Sequence, residues 1–547
     1  MADLIDAKNM GNKNTKLPFS IDKMSFIGWV NDLDLENKVE SLKYLSTTLK
    51  ILKQESIKAE DKYFFLQELS EIVQQLSQQL QETYKNSSFP FTEQNNKKLE
   101  LSVNCSTEIA VNYAQLCEDK DFVFSEVFTK QQKALVIYNG IRALVNVLFY
   151  RSLLYKKPGK GFWKLCFLFY LFAKQNKVLD VKLESKNVYF FSRFKQILLF
   201  GLINVRQFNT EELFAVFYLL NKFSDQVELI SKVPDKKFRG IPSINLRVDA
   251  PPSLLKDVDQ QEQPYIFYIS SLNVIKQLVK LSEYKNTLKS FNKSTLLRLI
   301  KTLTMNYQRN SEREITDDRV FASIGFNKVK AYILETEKTR REKENNAQDK
   351  VFDIQDIETD RGMFDYFREE RAERAAYLDL SLLTDSVIME DIKSVDIWPE
   401  KEENTEQESK KPAVNTELID KSSTGFRLSL NAVTTKVGDI VGVTILENFV
   451  ITIVRRIIHS QGNQLQVGVE VLGINPETLK LAGIWNKKTV TALYLKGDND
   501  AESIIIGSND FKNEDYIFTD KLTRFKVEKQ LYMSSTIKHL RVKNENI

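Results

Sequence analysis

The stretch LIDKSSTGFRL, residues 418–428, stands where a charged, amide-rich region gives way to strand-like sequence. Between Asp420 and Gly425 it places an acid, two serines, a threonine and a glycine. Two readings of Asp-x-Ser-x-x-Gly are open. The side chains can bond the local backbone in a turn, or they can be half of a ligand site whose other half lies elsewhere in the chain. Downstream, QLQVGVEVLG alternates, with Leu465, Val467, Val469 and Val471 on one face, the period-two pattern of a half-buried strand. ITIVRRII precedes it across HSQGNQ, whose Gly-Asn suits a tight hairpin. VTALYLKG, SIIIGS and RFKVEKQLYM supply further short strands. Short antiparallel strands separated by turns predict a small barrel over residues 417–547. Alternation sends the adjacent Arg455 and Arg456 to opposite faces, which leaves them outside a common site.

Upstream, QRNSEREITDDRVFASIGF carries Arg309 and Arg313, an Arg-x-x-x-Arg flanked by Glu312 and Glu314. Val320, Ala322 and Ile324 then alternate, so RVFASIGF reads as the first barrel strand, entered from a linker, the two together spanning residues 306–334. Residues 335–416 become an insertion within the barrel. TEKTRREKENNAQDK and EKEENTEQESKKP, nearly pure charge and amide, predict a partly disordered segment around one amphipathic helix at DYFREERAERAAYLDLSLL.

The pairing of Arg-x-x-x-Arg before one strand with Asp-x-Ser-x-x-Gly entering the next resembles the PilZ domain, the bacterial receptor module for cyclic di-GMP. VGDIVGV, the IVRRI strand and QVGVEVLG are similar to strands of that barrel. The wider layout, including the DAPPSLL turn, is similar to a group of proteobacterial proteins with a long helical N-terminal region before a divergent PilZ domain. The resemblance implies that Arg309 and Arg313 grip the phosphates and guanine faces of the dinucleotide. Asp420 and Ser422 would hydrogen-bond a guanine edge or phosphate, and Gly425 would permit close approach. The chemistry suits those roles. Arginine's planar fork binds phosphate oxygens bidentately and stacks on bases. A carboxylate accepts two bonds and so matches adjacent guanine N–H donors.

Before the barrel, residues 1–34 read as a flexible N-terminus and 35–305 as an all-α region. Leu42, Leu45, Leu49 and Leu52 draw one helical stripe. Leu66, Leu69, Val73, Leu76 and Leu80 draw a second. Aromatic-rich helices follow near 131–155, 161–175, 190–206 and 210–224. SINLRVD and YIFYIS predict a short strand pair near 243–270, separated by Pro251 and Pro252, which stop any helix there. GFWKLCFLFYLFA is too short to span a bilayer and holds Lys164, so it predicts a buried helix. The fold class expected is thus α+β multidomain: a helical N-terminal region, then an antiparallel β-barrel with a long charged insertion.

Composition narrows the function. Apolar residues form 42% of the 547, enough for packed cores in two to four domains. A net charge of only +4 argues against a nucleic-acid partner. Two histidines, and cysteines only at 105, 117 and 166 without CxxC spacing, leave little for metal, triad or disulfide chemistry. No Walker loop, nucleophile elbow or dinucleotide fingerprint is present. The expectation is a cytoplasmic, non-enzymatic receptor without a cofactor, whose ligand is cyclic di-GMP. It would bind at the linker–barrel junction and relay to an unidentified protein partner through the helical region. A PilZ-like scaffold that has lost nucleotide binding is the alternative.

Overall fold

The computed structural model describes residues 16–84, 89, 91–124, 126–184, 188–231, 242–254, 265–283, 293–304, 314–316, 318–347, 414–422, 424–431, 435–445, 448–459, 464–483, 489–496, 502–511, 516–519, 523–534 and 536–545. The chain forms two compact units, Met1–Tyr307 and Gln308–Ile547.

The first unit begins with α1 (Lys23–Asn31), α2 (Lys38–Gln54), α3 (Ala59–Tyr84), α4 (Glu93–Glu118), α5 (Lys120–Val123), α6 (Lys130–Leu153) and α7 (Phe162–Gln175). A small ladder of β1 (Lys182–Leu183) and β2 (Val188–Tyr189) precedes α8 (Phe190–Leu202) and α9 (Thr210–Phe223). The leucine stripes are the buried faces of α2 and α3. Helix α4 packs on both, with Asn112 Nδ2 donating to the Leu49 carbonyl (3.0 Å) and the Tyr113 hydroxyl to the Leu66 carbonyl (3.0 Å). These bonds satisfy polar groups in an apolar interior, where an unpaired one costs about 1–3 kcal/mol. All three thiols are buried and free. Desolvation pushes them up, Cys105 to about 12. Among the described residues no helix is long and apolar enough to cross a membrane.

The expected strand pair is wider than two strands. β3 (Glu228–Ile230), β4 (Pro242–Asn245), β5 (Ser253–Leu254) and β6 (Ile266–Ser270) form one sheet in the order β3-β6-β4-β5, ahead of α10 (Leu272–Glu283) and α11 (Lys293–Thr304). The DAPPSLL turn has a structural role. Asp249 accepts from the backbone N–H groups of Gly161 (2.5 Å), Trp163 (3.0 Å) and Lys164 (3.1 Å), capping α7. A carboxylate there meets the donors and positive pole of the helix N-terminus. Pro252 lies close to Gly201 of α8, where an added Cβ would strike both Pro252 and Trp163.

The second unit opens with β7 (Glu314–Ile315), β8 (Arg319–Ile324), α12 (Phe326–Ala347), β9 (Val414–Ser422), β10 (Gly425–Asn431), β11 (Ile440–Ile445), β12 (Asn448–His459) and β13 (Gln464–Ile474). The order is β10-β13-β12-β11-β8-β9-β7, and a β9–β10 pairing closes it into a six-stranded antiparallel ring. β7 follows β8's edge of β9, pairing with its C-terminal end. The remaining strands build a second closed ring, in the order β14 (Glu477–Gly483), β15 (Val490–Leu495), β16 (Glu502–Gly507), β19 (Ile537–Glu545), β18 (Arg524–Met533) and β17 (Tyr516–Thr519).

Two expectations change here. Residues 417–547 do not complete one barrel; the chain leaves the first ring at Ile474 and starts another. Asn475 makes the break: its φ is +47°, its N–H donates to the Phe449 carbonyl (2.8 Å), and its side chain accepts from Phe449 N–H (2.9 Å). Pro476 follows and cannot donate to a ladder. The insertion, read from residue 335, also yields its start to α12. Val329 and Ile333 are buried there among Ile440, Ile451 and Ile453 of the first ring and Leu493, Ile505 and Ile537 of the second. Glu337 accepts from the Thr478 N–H (2.8 Å) and hydroxyl (2.6 Å). Its last residues, 414–416, open β9, and residues 348–413, including DYFREERAERAAYLDLSLL, lie outside the described residues.

Candidate functional site

Asp420, Ser422 and Gly425 come together on one face of the β9–β10 hairpin, where Gly425 pairs with Ser422 and Arg427 with Asp420. Plain alternation would not place them so. Leu418 is buried in the ring, and a side chain two residues on should join it. The register instead slips between Arg427 and Leu428, which pair with Asp420 and Leu418 respectively. Ile419 is the extra residue of a bulge, a device that re-aims side chains. Asp420 therefore shares the outer face with Arg427 and forms an ion pair with it. The carboxylate is 2% exposed and the guanidinium side chain 27%, so the pair sits at the edge of solvent. Arg427 Nη1 also donates to Gln466 Oε1 (3.2 Å).

The small residues have local work of their own. The Ser422 hydroxyl donates to the Gly425 carbonyl (2.9 Å), leaving its oxygen able to accept. A Cβ on Gly425 would collide with the Val469 carbonyl oxygen across the ladder, so glycine is required for β10 to approach β13.

Arg309 and Arg313 lie outside the described residues. Glu314, covalently next to Arg313, is in β7 opposite Lys421 and pairs with it (3.2 Å). Its charge is engaged by Lys421. Ile315 stands opposite Asp420 and is 87% exposed.

A second bulge revises the expectation for Arg455 and Arg456. In β12 the register slips between Val454, paired with Val469, and Arg456, paired with Gly468. Val454 and Ile457 are both fully buried, and the two arginines between them share the outer face. Arg455 Nε donates to Glu470 (2.8 Å), and its guanidinium lies 4.8 Å from the Tyr532 ring centroid. Sequence reasoning thus passed over Arg427, and it set Arg455 and Arg456 on opposite faces where the bulge puts them on one. Arg427 was findable, because it lies two residues from Gly425 on one strand. The bulge leaves no compositional trace.

Comparison with protein families matches residues 25–235 to the N-terminal domain of the cyclic-di-GMP receptor FimW, and residues 243–477 to its middle PilZ domain. The second match ends where the second ring begins, so β15 to β19 lie beyond it. Comparisons with curated proteins and with solved structures find no match. With both domains matched in order, the chain belongs to the FimW family of cyclic-di-GMP receptors, and the ring bearing Asp420, Ser422 and Gly425 is its PilZ barrel.

Proposed function

We propose that the protein is a non-enzymatic cyclic di-GMP receptor. It binds the dinucleotide on the outer face of the first ring, where the linker meets β9 and β10, and relays binding to a protein partner through its helical region. The observation that carries this reading is the re-aimed Asp420. The bulge at Ile419 turns its carboxylate onto the same face as Ser422 and Gly425, beside the strand that continues from Arg313. A carboxylate offers about four acceptor positions, a match for adjacent guanine N–H donors. Arg309 and Arg313 take the phosphodiesters and base faces. A ligand held by the arginine linker and the ring together binds one arrangement better than another, the requirement for a relay.

A specific observation favours a second reading, a scaffold without nucleotide. Asp420 and Ser422 are each bonded within the protein, to Arg427 and Gly425. Calorimetric titration of cyclic di-GMP into the full chain, beside R309A/R313A, separates the two. Saturable binding lost in the variant is expected. At a hundredfold excess over Kd the ligand should also stabilise the fold by about 2.7 kcal/mol. No heat and no shift in Tm at high micromolar ligand would leave the scaffold reading.

A further inference from the structure

A cleft of about 540 Å³ opens in the first unit, walled by α8, α10 and β3. β3 is the terminal strand of its sheet. It pairs with β6 on one side, and on the other no described strand takes its backbone N–H and C=O groups. Glu228 and Leu229 of β3 line the cleft and no residue of β6 does, so it borders the side of β3 away from β6. Three ammonium groups enter it from two helices. Lys276 and Lys280 stand one turn apart on α10, a like-charge spacing that weakens a helix, and neither forms an ion pair among the described residues. Lys195 of α8 donates to the Asp225 carbonyl (3.1 Å) and lies 4.9 Å from the Phe191 ring centroid. Burial lowers its pKa in spite of the nearby charges of Asp225 and Glu228. Those two acids accept from neutral donors, Asp225 from the Ser192 hydroxyl and Glu228 from Asn273 Nδ2 (3.2 Å). Three cations against two acids leave the cleft positive beside an open strand edge.

We propose that this cleft docks an extended, acidic segment of a partner protein. The segment adds to β3 as a further strand of the sheet, and its carboxylates meet Lys195, Lys276 and Lys280. This names the surface for the protein partner of the reading above and rests on that part of it, not on the nucleotide site. An extended chain carries the alternating N–H and C=O groups that an open edge takes up, so main-chain bonds supply affinity and side-chain contacts supply specificity. A small anion would satisfy the lysines and leave the edge unpaired. The bland role for lysines beside a short edge strand is protection against unwanted pairing. That role predicts no peptide binding.

The test is fluorescence anisotropy of a labelled alternating Glu-Val peptide with the full chain, beside a Lys-Val peptide and a Glu-Val peptide N-methylated at every residue. Wild type, K276E/K280E and R309A/R313A are compared, each also titrated calorimetrically with cyclic di-GMP. The Glu-Val peptide should bind, more weakly as salt rises, and the Lys-Val peptide should not. K276E/K280E should weaken peptide binding about tenfold, the size of two reversed charge contacts, with its affinity for cyclic di-GMP unchanged. R309A/R313A should keep the peptide. No binding of the Glu-Val peptide at millimolar concentration, or equal binding by K276E/K280E, would overturn the docking site, whatever the nucleotide titration shows. Equal binding of the N-methylated peptide would overturn strand addition. Peptide binding without nucleotide binding would leave this inference standing while the receptor reading falls.

Discussion

The two rings of the C-terminal unit share strand number, closure and antiparallel order, yet differ in where their polar groups lie. In the first, polar pairs gather on the outside in one row, supported by two bulges and two glycines. In the second, the Tyr494 hydroxyl donates to Glu502 (2.5 Å) and His539 Nε2 bonds the Ser503 hydroxyl (2.9 Å) between neighbouring strands, while Lys496 and Glu477 pair in solvent (2.9 Å). The outward positions of β18 and β19, among them Lys526, Glu528, Arg541 and Lys543, are exposed in an ordinary solvated pattern. Fold alone therefore does not mark the site. Nor do register slips alone, since β18 slips twice against β19, between Val527 and Lys529 and between Gln530 and Tyr532; what the slip in β9 does is bring Asp420 and Arg427 onto one outer face.

The sharpest way to break the comparison is through what the rings share. Ile333 is 4% exposed in a cluster drawn from both rings. Ile333→Ala should cost about 2–5 kcal/mol in urea unfolding, within a single transition, because a cavity there opens the cluster that the two rings share. Two transitions with one unmoved would show that the rings fold separately. Arg427→Ala removes a charged partner from a nearly buried carboxylate. About 2–3 kcal/mol of destabilisation is expected, below the full value for a buried pair because Arg427 is partly exposed. A loss under about 0.5 kcal/mol would mean that water already solvates Asp420. The smallest effect belongs to the second ring's surface. R541A/K543A should leave cyclic di-GMP affinity unchanged and move stability by no more than about 0.5 kcal/mol. A clear loss of affinity there would place part of the site on the wrong ring.

Much was legible from residue order. Leucine spacing foretold the buried faces of α2 and α3, and alternation foretold β13, since both patterns are periodicities of the local backbone. The strand that follows residues 420–425, β10, was legible for the same reason. Helix α12 was only half legible, because two buried positions, Val329 and Ile333, anchor an otherwise charged sequence whose composition reads as solvated. Tertiary structure alone decided that Asn475 ends one ring and starts another, and that Asp249 serves as a cap for a helix 86 residues before it. It also decided that Asp420, Arg427 and Arg456 share a face. Ring closure and strand register are set by pairings between distant segments, and a bulge is one residue's slip in such a pairing. Neither leaves a period or a composition for the sequence to display.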